Sequence, residues 1–159
     1  MRIPALLVAT LVAATTAAAA DRPCTKGDAA AAGKAIDRVM SWQQLRKSWQ
    51  DYGQCDSGAT ADLYTDTILR LAVDWKDVDA LASEMKTDRG YHDFVLSHLK
   101  NDAAKEDRDA VYSRAKKSCP AGHDAFCAEI AAAVKSPAGA RAEPDTLDLT
   151  PIRIQPAKK

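Results

Sequence analysis

Apolar residues recur three and four positions apart through most of this chain, which is the spacing of one face of an α-helix. Between residues 28 and 135, runs of β-branched residues are absent and proline stands only at a boundary of the periodic segments. The pattern therefore predicts helix over nearly all of that region. Its clearest stripe consists of Tyr64, Ile68, Leu71, Ala72 and Trp75.

Turn residues divide the periodic region into separate helices. The first predicted helix carries the apolar positions of residues 36–52 and ends at Gly53, a residue suited to follow a helix C-terminus. The later helices carry the apolar positions of residues 64–75, 78–85, 91–99, 111–115 and 126–134. The connections are short, which favours antiparallel neighbours. We therefore expect an all-α fold, a compact bundle of five to six helices.

The N-terminus has the pattern of a secretory signal peptide. Arg2 is followed by the apolar run of residues 3–12 and by small residues that offer an Ala-x-Ala cleavage site. The run is shorter than the about 20 residues that span a bilayer. We expect a signal peptide over residues 1–20, a helical domain over residues 21–135, and export to the periplasm or the medium of a bacterium.

Residues 136–159 differ from the helical region, because they hold four of the seven prolines and no helical period. Leu147 and Leu149, and then Ile152 and Ile154, alternate with polar residues, which is typical of an extended segment. We expect an extended or disordered C-terminal tail. The sequence leaves open whether it lies across its own bundle or offers a strand to a partner.

Four cysteines follow the predicted cleavage site: Cys24, Cys55, Cys119 and Cys127. An even number in an oxidising compartment predicts two disulfides, for which three pairings exist. We expect Cys24–Cys55 and Cys119–Cys127, because each pair joins the ends of neighbouring elements. The alternative is a four-cysteine zinc site, although the chain has no Cys-x-x-Cys motif.

Charge is balanced in this chain, with 22 Lys and Arg against 22 Asp and Glu, and like charges form no block. Nucleic acid binds to basic faces, and polybasic segments bind anionic membranes. We therefore expect neither kind of partner, and we expect no membrane span. The sequence leaves the oligomeric state open.

The stretch CDSGATADLYTDTILRLAVDW begins with residues that have two interpretations. Ser57 beside Gly58 resembles a nucleophile, but Cys55 and Ala59 occupy the glycine positions of a nucleophile elbow. The favoured interpretation is that the side chains of Asp56 and Ser57 cap the following helix.

Five residues are candidates for a binding surface. Asp62 and Asp66 lie four apart on one helix face and offer two carboxylates for acid–base chemistry or a metal. Arg70, four residues further, favours an ordinary surface ion pair with Asp66. Trp42 and Trp49 lie seven apart and offer rings for sugar stacking or a protein partner, although the core interpretation is favoured.

The three histidines form no recognisable reactive pattern. His92 and His98 are six apart, so that they point to different sides of a helix, and no His-Glu-x-x-His motif is present. His98 shares an apolar face with Phe94 and Leu99, which favours a hydrogen-bonded core histidine, and His123 lies between the last two cysteines. We therefore expect no catalytic residue, no metal and no cofactor.

The run C-D-x-G-x-x-A-x-x-Y-x-D that begins at Cys55, together with DFVLSHL and Cys119-Pro120, resembles a family of small exported bacterial helical proteins of uncharacterised function. The resemblance covers about residues 42–130 and implies an exported helical fold without catalytic residues. An exported, compact helical domain is also the general type of periplasmic immunity proteins against secreted cell-wall amidases. This similarity is one of general type, and no motif supports it.

These expectations favour a non-enzymatic periplasmic protein that binds another protein of the cell envelope, as an inhibitor or an immunity protein does. One alternative is a cell-envelope hydrolase or carbohydrate-binding module that uses Asp62 and Asp66 with the tryptophans. The other is a structural protein of the envelope.

Overall fold

The computed structural model describes residues 22–101 and 105–135 of this chain. The predicted signal peptide, residues 1–20, and the predicted tail, residues 136–159, lie outside the described residues. Within the described ranges all regular elements are helical, which confirms the all-α prediction. No helix in those ranges has the length and apolar character needed to cross a membrane.

The described residues form seven α-helices. In chain order they are α1 (Lys26–Ile36), α2 (Trp42–Tyr52), α3 (Gly58–Asp74), α4 (Val78–Thr87), α5 (Arg89–Leu99), α6 (Lys105–Lys117) and α7 (Asp124–Lys135). A short 3₁₀ turn, Gly53–Cys55, joins α2 to α3.

The predicted number of five to six helices is wrong, because residues 36–52 do not form one helix. The N–H groups of Arg38 and Val39 bond carbonyls only three residues back, which tightens the chain into a turn. Ser41 then caps the N-terminus of α2, and its hydroxyl accepts the N–H of Gln44 at 3.3 Å. The sequence holds this signal as S-x-x-Q, the pattern of a helix-capping box.

Asp88 alone separates α4 from α5, so the chain turns there over fewer residues than the sequence suggests. Its carboxylate accepts the N–H of Tyr91 at 3.1 Å and caps α5. Gly90 lies in the first turn of α5, where the ring of Trp49 comes within 3.3 Å of the position that a β-carbon would take. Glycine at this position lets the ring pack directly on the backbone.

One hydrophobic core runs through the bundle, with α3 at its centre. Helix α3 contacts α1, α5 and α6, while α7 packs on α6 and α5, and α4 packs on α5 and α2. The stripe predicted on α3 is buried except for Trp75, which is half-buried. The largest fully buried side chains are Trp42, Tyr64, Tyr91, Ile36, Leu45, Ile68, Leu99, Ile130, Val95 and Val111.

Both predicted disulfides are present. Cys24–Cys55 ties the segment before α1 to the start of α3, with its Cα atoms 4.9 Å apart. Cys119–Cys127 closes the connection between α6 and α7, with its Cα atoms 6.0 Å apart. All four cysteines are therefore used in these two pairs, and the alternative of a four-cysteine zinc site is wrong.

Candidate functional site

A groove lies beside α5: one part is enclosed by α4, α5 and the start of α7, and the other follows α5 next to Glu129 of α7. It consists of two clefts, of about 690 and about 480 Å³, that share the residues Arg89, His92 and Glu129. We call this feature the α5 groove. Its other lining residues are Ala82, Ser83, Met85, Lys86, Gly122, His123, Ala125 and Phe126 in the larger cleft, and Asp93, Leu96, Ser97, Lys100 and Asn101 in the smaller.

His92 joins the two walls of the α5 groove at the point where the clefts meet. Its Nδ1 lies 2.8 Å from Oδ1 of Asp93, and its Nε2 lies 3.0 Å from Oε1 of Glu129 on α7. The hydrogen bond from His92 lowers the pKa of Asp93 below its usual value; Arg89 adds to this effect, and desolvation opposes it. The ring thus lies between a carboxylate of its own helix and Glu129 of α7, and the contact with Glu129 links the two helices.

The far wall of the larger cleft is fixed covalently by Cys119–Cys127. Inside that loop the N–H of His123 bonds the carbonyl of Pro120 at 3.2 Å. The imidazole Nε2 of His123 lies 3.6 Å from a carboxylate oxygen of Asp79, which connects the loop to α4. The groove is therefore a preformed surface whose walls come from three separate parts of the chain.

Lysine and arginine supply the charges of the α5 groove that remain available. Asp93 is bonded by both Arg89 and His92, and Glu129 is bonded by His92. Lys86 and Lys100 are exposed and form no ion pair with any described residue. The carboxylates of Asp93 and Glu129 are thus exposed but paired within the groove, while the ammonium groups of Lys86 and Lys100 are exposed and have no described ion-pair partner.

A second polar cluster is buried between α3 and α5. His98 is 3 % exposed; its Nε2 lies 3.1 Å from Oδ2 of Asp56, and its Nδ1 lies 2.8 Å from the hydroxyl of Thr65. The side chain of Asn101 donates to the same hydroxyl at 3.2 Å. The prediction of a hydrogen-bonded core histidine is therefore confirmed.

The order carboxylate, imidazole, hydroxyl is also the order of a nucleophile relay. Here the hydroxyl of Thr65 also lies 3.0 Å from the carbonyl of Ala61, and both Thr65 and His98 are buried. In this geometry the hydroxyl contacts protein atoms and offers no face to a substrate. The arrangement therefore acts as a link between two helices.

The predicted side-chain caps of α3 are wrong. Ser57 does occupy the N-cap position, but its side chain makes no capping hydrogen bond. The carboxylate of Asp56 bonds His98 instead. The carboxylate that the local sequence assigns to the N-terminus of α3 is therefore bonded to a residue of α5.

The two candidate tryptophans lie in and against the core. Trp42 is 1 % exposed, and its indole N–H donates to the carbonyl of Lys76 at 3.0 Å. Trp49 is half-buried, with its ring centroid 5.4 Å from that of Tyr91 and 5.8 Å from that of Phe94. The core interpretation is confirmed for Trp42, whose ring has no accessible face for a ligand.

Asp62, Asp66 and Arg70 lie on the exposed side of α3. The expected ion pair between Asp66 and Arg70 is wrong, because the guanidinium of Arg70 donates to the carbonyl of Val39 at 2.7 Å. Arg70 therefore holds the turn between α1 and α2. The five candidate residues do not converge on one site, since Trp42 is enclosed while the carboxylates face solvent.

The α5 groove was missed in the sequence because its residues come from segments that meet only in the fold. The available signal was His92, whose offset of six from His98 places it on the other side of α5. That part of the prediction is confirmed: His98 faces the core and His92 faces the groove. Among the residues that the structure describes, no three His, Cys, Asp or Glu side chains are placed to hold a metal ion.

No family model, curated protein or solved structure matches this chain. The resemblance carried by the run that begins at Cys55 therefore stays a prediction, and functional inference rests on the geometry of this molecule.

Proposed function

We propose that this chain is a non-enzymatic exported protein that binds another protein through the α5 groove, as an inhibitor or an immunity protein does. The observation that carries the proposal is the form of the groove, two open clefts that meet at Arg89, His92 and Glu129. Small-molecule sites are concave and bury most of their ligand. A long open groove suits a segment of another chain laid along it.

The rigidity of the groove walls also supports protein binding. Cys119–Cys127 holds one wall, and the contact between His92 and Glu129 joins α5 to α7. A preorganised surface loses little conformational entropy on association, which favours tight binding. Two disulfides also fit the oxidising compartment in which an exported protein works.

The alternative of an envelope hydrolase or carbohydrate-binding module gains no comparable support. It relied on Asp62 and Asp66 together with two accessible tryptophan rings. Trp42 is enclosed, and Trp49 packs against Tyr91 and Phe94. No observation favours the structural-protein alternative over binding.

Site-specific photo-crosslinking tests the proposal. A photoreactive phenylalanine analogue replaces Ala125, an exposed residue that lines the groove, or Ala59, an exposed residue at the start of α3. Each variant is produced with its N-terminal segment in the source bacterium and irradiated. We expect one predominant protein adduct from position 125 and none from position 59.

The absence of an adduct from position 125, or equal adducts from both positions, contradicts binding at the α5 groove. The captured protein is then purified and its activity measured with and without this chain. Inhibition supports the inhibitor or immunity form of the proposal. If the activity of the captured protein is unchanged, the inhibitor or immunity form of the proposal is contradicted, and only the proposal of protein binding stands.

A further inference from the structure

We infer that the α5 groove binds an extended protein segment that carries a carboxylate next to an apolar side chain. The inference rests on the proposed function and adds the chemistry of the partner. It follows from the charges that the groove leaves available and from the apolar surface beside them.

The available charges are positive. Lys86 and Lys100 have no ion-pair partner among residues 22–101 and 105–135, and they line the two different clefts. The side chain of Arg89 is 80 % exposed, and the bond that it makes to Asp93 uses its Nε. The outer guanidinium N–H groups of Arg89 are therefore free to meet a partner carboxylate in a paired, planar contact.

The apolar surface lies beside these charges. Met85 and Phe126 line the larger cleft together with Lys86. Met85 is buried, and Phe126 is half-buried against the core. Because Met85 is almost fully enclosed, the accessible apolar contact comes from Phe126, whose ring suits a leucine or phenylalanine of the partner.

A protein segment fits these observations better than an anionic glycan or an anionic membrane. Anionic surfaces bind to broad basic faces, whereas Asp93 and Glu129 line this groove beside its cations, and Asp79 pairs with His123 at its edge. A peptide can present one charged side chain next to one apolar side chain, which matches the separate cations of the groove and the apolar contact beside them. Its extended backbone also spans both clefts, which share the positions of Arg89, His92 and Glu129.

Peptide selection tests the inference without knowledge of the natural partner. A display library of random heptapeptides is selected on the oxidised protein after depletion on the double variant K86E/R89E. We expect the enriched peptides to hold Asp or Glu within two positions of Leu, Phe or Trp. Neutral or basic enriched peptides overturn the inference.

Affinity measurements on the best enriched peptide, labelled with fluorescein, locate its binding. We expect Lys86→Glu and Arg89→Glu each to weaken binding about tenfold, because reversal removes an attraction and adds a repulsion. Lys34→Glu on α1 is the matched control and should change affinity less than about twofold. Binding should also weaken from about 0.1 M to about 1 M ionic strength, as the Debye length falls from about 10 to about 3 Å.

Equal losses from Lys34→Glu and from the two groove variants overturn the inference, as does stronger binding to phosphatidylglycerol vesicles or to soluble cell-wall glycan fragments.

Two results separate this inference from the proposed function. A partner captured from Ala125 together with no acidic preference among peptides means that the partner chemistry is wrong and the function stands. Acidic peptides that bind the groove, with no partner captured in the cell, support the chemistry and contradict the function.

Discussion

At the scale of single residues, buried polar atoms join one helix to the next. The hydroxyl of Tyr64 donates to the carbonyl of Ser48, the indole of Trp42 donates to Lys76, and Thr65 bonds His98. A typical buried hydrogen bond adds only about 1 kcal/mol, but a partner left unpaired costs about 1–3 kcal/mol. These hydrogen bonds therefore contribute to the free energy of unfolding, and they also select the arrangement of helices in which every one of these atoms has its partner.

Thr65 and Thr67 provide a matched test of the buried cluster, because both are buried threonines of α3. We expect Thr65→Val to lower the free energy of unfolding by about 1–3 kcal/mol, since it leaves Nδ1 of His98 and the amide of Asn101 unpaired. Thr67→Val should change it by less than about 0.5 kcal/mol, because no side-chain hydrogen bond to a described residue is lost. Urea unfolding followed by circular dichroism measures both, and equal changes would contradict the role given to the cluster.

Alkaline pH should destabilise the fold through its buried tyrosines. Burial raises the pKa of Tyr64 to about 12, against a smaller opposing effect of its bond to Ser48, and burial also raises the pKa of Tyr91 above its usual range. In the unfolded chain both ionise near pH 10. The stabilisation is therefore complete below about pH 10 and is lost as the pH rises, by up to about 1.4 kcal/mol per pH unit for each tyrosine.

Urea midpoints between about pH 9 and about pH 12 measure this loss. Tyr64→Phe removes one of the two groups and should reduce the slope by about half. An unchanged slope in that variant would show that Tyr64 does not keep its proton in the folded state.

At the scale of elements, the ends of the helices are set partly by local caps and partly by distant contacts. Thr25 and Asp28 form a complete capping box at α1, and Ser41 caps α2. Helix α3 ends at Trp75 in a left-handed conformation, with φ 56°, where the indole N–H donates to the carbonyl of Ser118. That long-range bond holds a large residue where glycine is usual.

The two serine N-caps provide the test at this scale. We expect Ser41→Ala to lower the free energy of unfolding by about 1 kcal/mol, because it removes the acceptor for the N–H of Gln44. Ser57→Ala should have a clearly smaller effect, since the side chain of Ser57 makes no capping bond. Thermal unfolding measures the pair, with a shift of about 4 °C expected for Ser41→Ala, and the reverse order would contradict the assignment.

At the scale of the whole molecule, two disulfides close loops of very different length around one core. Cys24 and Cys55 are 31 positions apart, while Cys119 and Cys127 are 8 apart. In the chain-entropy model a cross-link removes more freedom from the unfolded chain when its loop is longer. The first bond should therefore contribute more to stability and the second more to the shape of the α5 groove.

Double alanine variants separate these two roles. We expect Cys24→Ala with Cys55→Ala to lower the free energy of unfolding by about 3.5 kcal/mol, and Cys119→Ala with Cys127→Ala by about 2.5 kcal/mol. Only the second pair should weaken peptide binding at the groove. Urea unfolding and fluorescence anisotropy measure the two effects, and equal peptide affinity in both double variants would contradict the bracing of the groove wall.

The sequence by itself determined the helical class, the apolar stripe of α3 and the pairing of the cysteines. The first two depend on local information, because a period of three to four residues marks a helix face. The pairing was expected because each pair joins the ends of neighbouring elements, although Cys24 and Cys55 are 31 positions apart. The break between α1 and α2 was also present locally, as the Ser41 cap, although apolar residues that continue across it concealed it.

Only the tertiary structure decided the partners of the polar residues and the place of the candidate site. Periodicity shows that a helix face is apolar, but it does not show which helix will meet that face. Asp56 therefore bonds His98 instead of capping α3, Arg70 bonds Val39 instead of Asp66, and Trp42 is enclosed. For the same reason the α5 groove exists only where α4, α5 and α7 come together in the folded chain.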